Sequence, residues 1–191
     1  MSWQTELKSW MFPSPLPTTV PPIIGQKVPQ DEKVPIPSDG KPTIVSFLRH
    51  CGCPFAEKTF LSLRSISTAH PDTHFIAVSH SNRASTDSWL EALGGPDRVQ
   101  VIVDPDRESY AAWGLGVSSF WHILNPWSMY SVYTLGKQEG IWNRPTESGT
   151  RWQSSGSFAV DRDGVMRWGG PSRSADDVPD FGEAMEAIQS K

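Results

Sequence analysis

Between residues 43 and 113 the sequence alternates two hydrophobic periods, which restricts the chain to strands joined by helical crossovers. The run Thr43-Ile-Val-Ser-Phe-Leu48 is β-branched and almost continuously apolar, as a strand buried on both faces is. After Pro54 the spacing of Ala56, Phe60, Leu63 and Ser67, with Leu61 and Ile66 alongside, has a helical period that stops at Pro71. A strand is expected at His74–Ser79, a helix near 84–93 closed by Gly94-Gly95, a strand at 99–103 and a short helix at 106–113 before Gly114. Strands and helices alternating at this length build parallel βαβ units, so the expected class is α/β, a central mixed sheet flanked by helices.

The alternation breaks at an aromatic-rich insertion, 117–155; five of the nine tryptophans lie between 113 and 152. A hairpin is expected next, with strands 157–160 and 165–168 around Asp161-Arg162-Asp163-Gly164, then a last amphipathic helix near 174–189. Upstream, nine prolines from Pro13 to Pro42 forbid helix and favour an extended conformation. Residues 1–42 are therefore expected as an arm packed on a single domain, 43–191.

Charge and composition exclude several partners. The net charge of −4 is spread along the chain, so no basic stripe is available to follow a phosphate backbone, and nucleic acid is not expected. No stretch of about 20 apolar residues exists, and Glu6 and Lys8 interrupt the first residues where a secretory segment would be apolar. The expectation is a cytoplasmic protein with no membrane contact. Two cysteines separated by one glycine are no secreted disulfide framework. His70 and His74 have metal-like spacing, but Pro71 prevents a shared helical face and no third ligand is near, so neither a metal nor another cofactor is expected.

Parallel strands collect their C-terminal ends at one edge, which brings His50, Cys51 and Cys53 towards His80 and Asp104. Proline is favoured at the first helical position, so Pro54 makes Cys53 the N-cap. Its sulfur then faces unpaired N–H groups and the positive end of the helix dipole, which favours a thiolate, and Arg49 and His50 can add positive charge.

A strand, a Cys-Pro opening a helix, the stretch Val101-Ile-Val-Asp-Pro-Asp-Arg-Glu-Ser-Tyr-Ala-Ala-Trp-Gly-Leu-Gly116 and the hairpin Ser157-Phe-Ala-Val-Asp-Arg-Asp-Gly-Val-Met-Arg167 follow in order. Together they resemble the peroxiredoxin-like (AhpC/TSA) family of the thioredoxin-like superfamily. Upstream, Ile24-Gly25-Gln26-Lys27-Val28-Pro29 is similar to that family's opening Gly-x-x-x-Pro. The resemblance implies a thioredoxin-like fold with Cys53 in the place of the peroxidatic cysteine. Three positions depart from the pattern: His50 stands where peroxiredoxins place Thr, Ala56 where thioredoxin-type enzymes place a second Cys, and Ser155-Gly156-Ser157 where a cis-proline is usual. Cys51 partly restores a dithiol, since Cys-Gly-Cys can close into a strained, easily reduced ring if the glycine permits it.

The reading that follows is a thiol-dependent oxidoreductase. Cys53 attacks a peroxide or related electrophile, and Cys51 or an external thiol restores it, with Arg49 and His50 beside them. Two alternatives stay open: a non-redox enzyme working by acid–base chemistry through His50, Arg49 or His80, and a noncatalytic binding module. The insertion has too many aromatics for a solvated loop. It is expected to fold over the strand ends, with Trp121, Trp127 and Tyr130 walling an apolar pocket beside Cys53 and Arg144 anchoring an anionic or carbonyl group. The expected partners are therefore an apolar small molecule and an external thiol reductant, and the same aromatics leave a homodimer contact open.

Overall fold

β1 (Thr43–Phe47) is buried at every position, as a strand covered on both faces must be, and it occupies the middle of the sheet. The computed structural model describes residues 9, 11, 13–119, 126–145 and 148–189. β2 (His74–Ser79) and β3 (Gln100–Val103) run parallel to β1 on one side, with Thr43 opposite His74 and Ile76 opposite Gln100. On the other side β4 (Gly156–Val160) runs antiparallel, pairing Val45 with Phe158, and β5 (Met166–Pro171) turns back antiparallel to it. The resulting order is β3-β2-β1-β4-β5.

The period of two along β1 divides the core between two layers. Ile44 faces a layer that contains Phe60 and Leu63 of α1 (Pro54–Ala69), Trp89 of α2 (Arg83–Ala92) and Phe181 and Met185 of α5 (Phe181–Gln189). Val45 and Phe47 face the opposite layer, with Tyr110 of α3 (Glu108–Ala112), Trp113, and Val28 and Val34 of the arm. In that layer Phe47 and Phe158 each meet Trp113, with ring centroids 5.3 and 5.0 Å apart, and Trp113 has no exposed surface.

The proline-rich arm is held by its backbone. Thr19 donates to Ala111 and Ala112, and Gly25, Gln26 and Val28 bond to Gly164 and Met166 of the hairpin. Gly114 permits the arm's approach twice over. Its φ is +74°, and a β-carbon there would lie 2.5 Å from the Pro21 nitrogen.

Two expectations about elements are corrected. The last helix starts at Phe181 instead of near 174, because Pro179 restricts the residue before it and Asp180 then caps the helix, accepting from the Gly182 and Glu183 amides at 2.8 and 3.2 Å. The insertion, in which no regular element was expected, carries a full helix, α4 (Pro126–Glu139). α4 is tied down at both ends. Ser128 and Ser131 donate to the Asp176 carboxylate at 2.5 and 2.8 Å, and Lys58 of α1 pairs with Glu139.

Candidate active site at the N-terminus of α1

The chain leaves β1 through Leu48, Arg49 and His50 and makes a turn closed by the Cys53 amide donating to the His50 carbonyl at 2.9 Å. Cys53 is extended (φ −84°, ψ 127°), as the residue before a proline-led helix must be, and its carbonyl accepts the first helical bonds from Ala56 and Glu57. The Cys53 side chain makes no capping bond, so its sulfur is not committed to the helix. It lines a cavity of about 260 Å³ together with Arg49, His50, Pro54, Phe55, Asn143, Arg151 and Ala175. The opposite wall is α4, through Ser128, Met129 and Val132.

Arg49 is buried, with 4% of its surface exposed. Its Nη2 donates to the Arg151 carbonyl at 2.8 Å, while Nε and Nη1 have no hydrogen-bond partner. His50 Nδ1 accepts from the Gly52 amide at 3.2 Å, which assigns the proton of the neutral ring to Nε2. Burial, and then the positive charges of Arg49 and Arg151, push its pKa well below the usual 6.5.

Cys51 points elsewhere. Its sulfur lies 3.6 Å from Ser79 Oγ and 3.9 Å from Thr86 Oγ1, and it lines a second cavity, of about 250 Å³, with Trp89, Ser85, Ser88 and Arg144. Both cysteines are free thiols. Arg144, expected to hold a ligand anion, is engaged internally: its Nε and Nη2 donate to the Glu57 carboxylate at 2.8 and 3.2 Å, and its amide to the Gly52 carbonyl at 3.0 Å. That clamp fixes segment 141–145 on the cysteine turn.

The strand ends bring His80 and Asp104 to this edge, but as structural groups. His80 is buried, donates from Nε2 to the Thr150 carbonyl at 3.0 Å and faces Tyr110 Oη from Nδ1 at 3.4 Å. Burial lowers its pKa to about 4. Asp104 accepts from the Ser109 amide and from Lys33 Nζ.

Trp127 and Tyr130 do not wall the cavity. They are 78% and 65% exposed and absent from its lining, to which α4 contributes buried Ser128, half-buried Val132 and, at the rim, Met129, itself 61% exposed. Trp121 lies outside the described residues. The sequence reading missed Met129 and Val132, although their spacing of three is a helical signal; it also missed Arg151, for which no local signal exists.

Residues 62–174 match the family described as AhpC/TSA antioxidant enzyme, a stretch that begins beyond Cys53. Among solved structures the chain is similar to peroxiredoxin 6 of Arenicola marina, with 14% identity, a TM-score of 0.62, and coverage of 88% of this chain and 72% of that one. It is also similar to a thiol peroxidase from Chromobacterium violaceum (13% identity, 90% and 89% covered, TM-score 0.60). A third likeness is a peroxiredoxin-like protein from Aquifex aeolicus (12% identity, 88% of each chain covered, TM-score 0.60). No curated protein matches in sequence. At such identities the likeness shows the fold, which is thioredoxin-like, as the sequence resemblance implied.

Proposed function

This chain belongs to the AhpC/TSA antioxidant enzyme family, and from that premise we propose that Cys53 reduces peroxides with electrons from an external thiol. One observation carries the reading: the residue at the N-terminus of a 16-residue helix is a cysteine whose thiol makes no capping bond, and it lines a cavity that a buried arginine also lines. The helix end and the guanidinium both favour negative charge on atoms placed there.

In the first step the Cys53 thiolate attacks the outer peroxide oxygen. A sulfur–oxygen bond forms, the oxygen–oxygen bond breaks, and the alkoxide or hydroxide leaves and takes a proton from water. The peroxide is reduced by two electrons and Cys53 becomes a sulfenic acid. A small thiol then condenses with it, releasing water and leaving a mixed disulfide, and a second thiol releases Cys53 and the oxidised disulfide. Cys51 is a poor resolving group in this arrangement, since its sulfur lines a different cavity. The apolar wall of Phe55, Met129 and Val132 supports an organic hydroperoxide over hydrogen peroxide. The dependence on a thiol pool favours a reducing compartment, the cytoplasm. The acid–base alternative finds little support in the histidines, because burial lowers both pKa values and makes the rings weak bases, and His80 Nε2 is engaged by the Thr150 carbonyl.

Peroxide consumption with excess dithiol tests the reading. Cys53→Ser is expected to lose turnover by about two orders of magnitude or more, and Cys51→Ser to keep it. Equal rates in wild type and Cys53→Ser would remove Cys53 from the reaction.

A further inference from the structure

We propose that the outer face of α4 is an interaction surface whose occupant is a second copy of this chain, docked antiparallel about a two-fold axis. The proposal does not depend on the peroxide chemistry of Cys53.

The exposed aromatic surface of the molecule is concentrated on this face. Trp127, Met129, Tyr130 and Tyr133 of α4, and Trp142 just after it, are each 47–78% exposed, and they include every well-exposed aromatic side chain among the described residues. At about 100° per residue the four helical positions fall on one side of α4. Ser128 and Val132, on the other side, line the Cys53 cavity. Trp142 continues the patch, because its ring lies against Gly136: a β-carbon there would come within 2.5 Å of the indole. At about 150–250 Å² for each large side chain, these exposures amount to roughly 600 Å². That is the upper end of what a monomer leaves open, and with the flanking Thr134 and Gln138 it approaches the ~800 Å² that each partner contributes to a stable complex.

Charge and symmetry select the occupant. Lys137 is the one charged residue on this side of α4, and its Nζ lies 5.9 Å from the centre of the Tyr133 ring. A single cation is not the basic cluster that an anionic lipid surface or an acidic partner requires. A chain of net charge −4 repels its own copies, and a face almost without charge is where that repulsion is least. The face is also complementary to itself. Trp127 and Lys137 stand ten residues apart, about 15 Å along the helix, with the two tyrosines between them. An antiparallel copy therefore brings Lys137 to the partner's Trp127 at both ends of the contact, cation to ring, and Tyr130 to the partner's Tyr133 in the middle. Such a contact uses the same patch on both chains, so assembly closes at two.

Sedimentation equilibrium of the full chain in excess dithiol measures this association without disulfide cross-links and without peroxide. A mass twice 21.2 kDa is expected at about 100 µM and below, down to a micromolar dissociation constant. Each substitution alters both halves of a two-fold contact, so Trp127→Ala is expected to weaken dimerisation about tenfold or more, and Tyr130→Glu to leave a monomer. Both side chains are exposed, so both variants are expected to keep the wild-type circular dichroism spectrum. Ile24→Glu, at an exposed position of the arm, is expected to keep the dimer. A wild-type monomer at about 100 µM, or a dimer that Tyr130→Glu leaves intact, overturns the proposal. So does a monomer that floats with phosphatidylcholine vesicles, which would assign the face to a lipid surface. Should Tyr130→Glu not fold, Trp127→Ala and Lys137→Glu decide in its place.

Discussion

His50, within the cysteine turn, and His80, at the end of β2, are both buried and keep their neutral forms for the same reason: desolvation penalises the charged ring more than any nearby group rewards it. The consequence for stability has a definite sign. The unfolded chain takes up a proton at His80 near the usual 6.5, whereas the folded chain resists until about 4, so the unfolded state binds more protons in between and stability falls as pH drops from 6.5 to 4. Two and a half pKa units correspond to about 3 kcal/mol for this residue alone, and His50 adds in the same direction. Asp39, Asp161 and Asp176 are held below the usual carboxylate range, Asp39 chiefly by its hydrogen bond to His74 and the other two by hydrogen bonds that outweigh their burial, so what they contribute is lost at lower pH than the histidine contribution. Urea unfolding at about pH 7 and about pH 4.5 is expected to show the loss, with a smaller one in His80→Gln. A flat profile would mean that the rings are not desolvated.

Two elements support the site without contributing chemistry, one at the cavity and one across the sheet. α4 forms the outer wall of the cavity, and its position depends on Asp176 as much as on apolar contact. Burial alone would raise the Asp176 pKa, but the Ser128, Ser131 and Ser174 hydroxyls outweigh it and hold the carboxylate below its usual range. The arm buttresses the opposite face of the sheet through Gly114. Gly114→Ala is expected to destabilise the protein by about 2 kcal/mol or more, since a left-handed φ costs alanine about 1–2 kcal/mol and the added carbon also meets Pro21 backbone, which cannot swing aside as a side chain would. Limited proteolysis is expected to cut the variant near Pro21 well before the wild type. Unchanged stability and unchanged cleavage would show that the arm carries no load there.

At the scale of the whole molecule, the sheet is held between two apolar layers, and Trp113 is the largest side chain buried without exposed surface. Trp113→Ala is expected to cost about 3–5 kcal/mol, a large share of a typical domain's stability, read as a lowered urea midpoint. A cost under about 1 kcal/mol would mean that Phe47 and Phe158 collapse into the space. The sequence by itself determined whatever depends on neighbours along the chain. The strand at β1, the proline-led helix after it and the extended Cys53 are local outcomes of β-branching, periodicity and a fixed φ. Only the tertiary structure decided which way the side chains of the turn face and what meets them. Cys51 and Cys53 are two residues apart in one turn yet line separate cavities. Arg144 is claimed by Glu57, and Arg49 is left without a carboxylate, although nothing in either residue's neighbours along the chain distinguishes them. α4 presents Ser128 and Val132 inward, leaves Met129 at the cavity rim and Trp127 and Tyr130 outward, because its rotation follows from the Asp176 and Lys58 tethers, which act across more than 40 residues of sequence. Ion pairs and packing of that range are chosen by the assembled fold, and no local pattern encodes them.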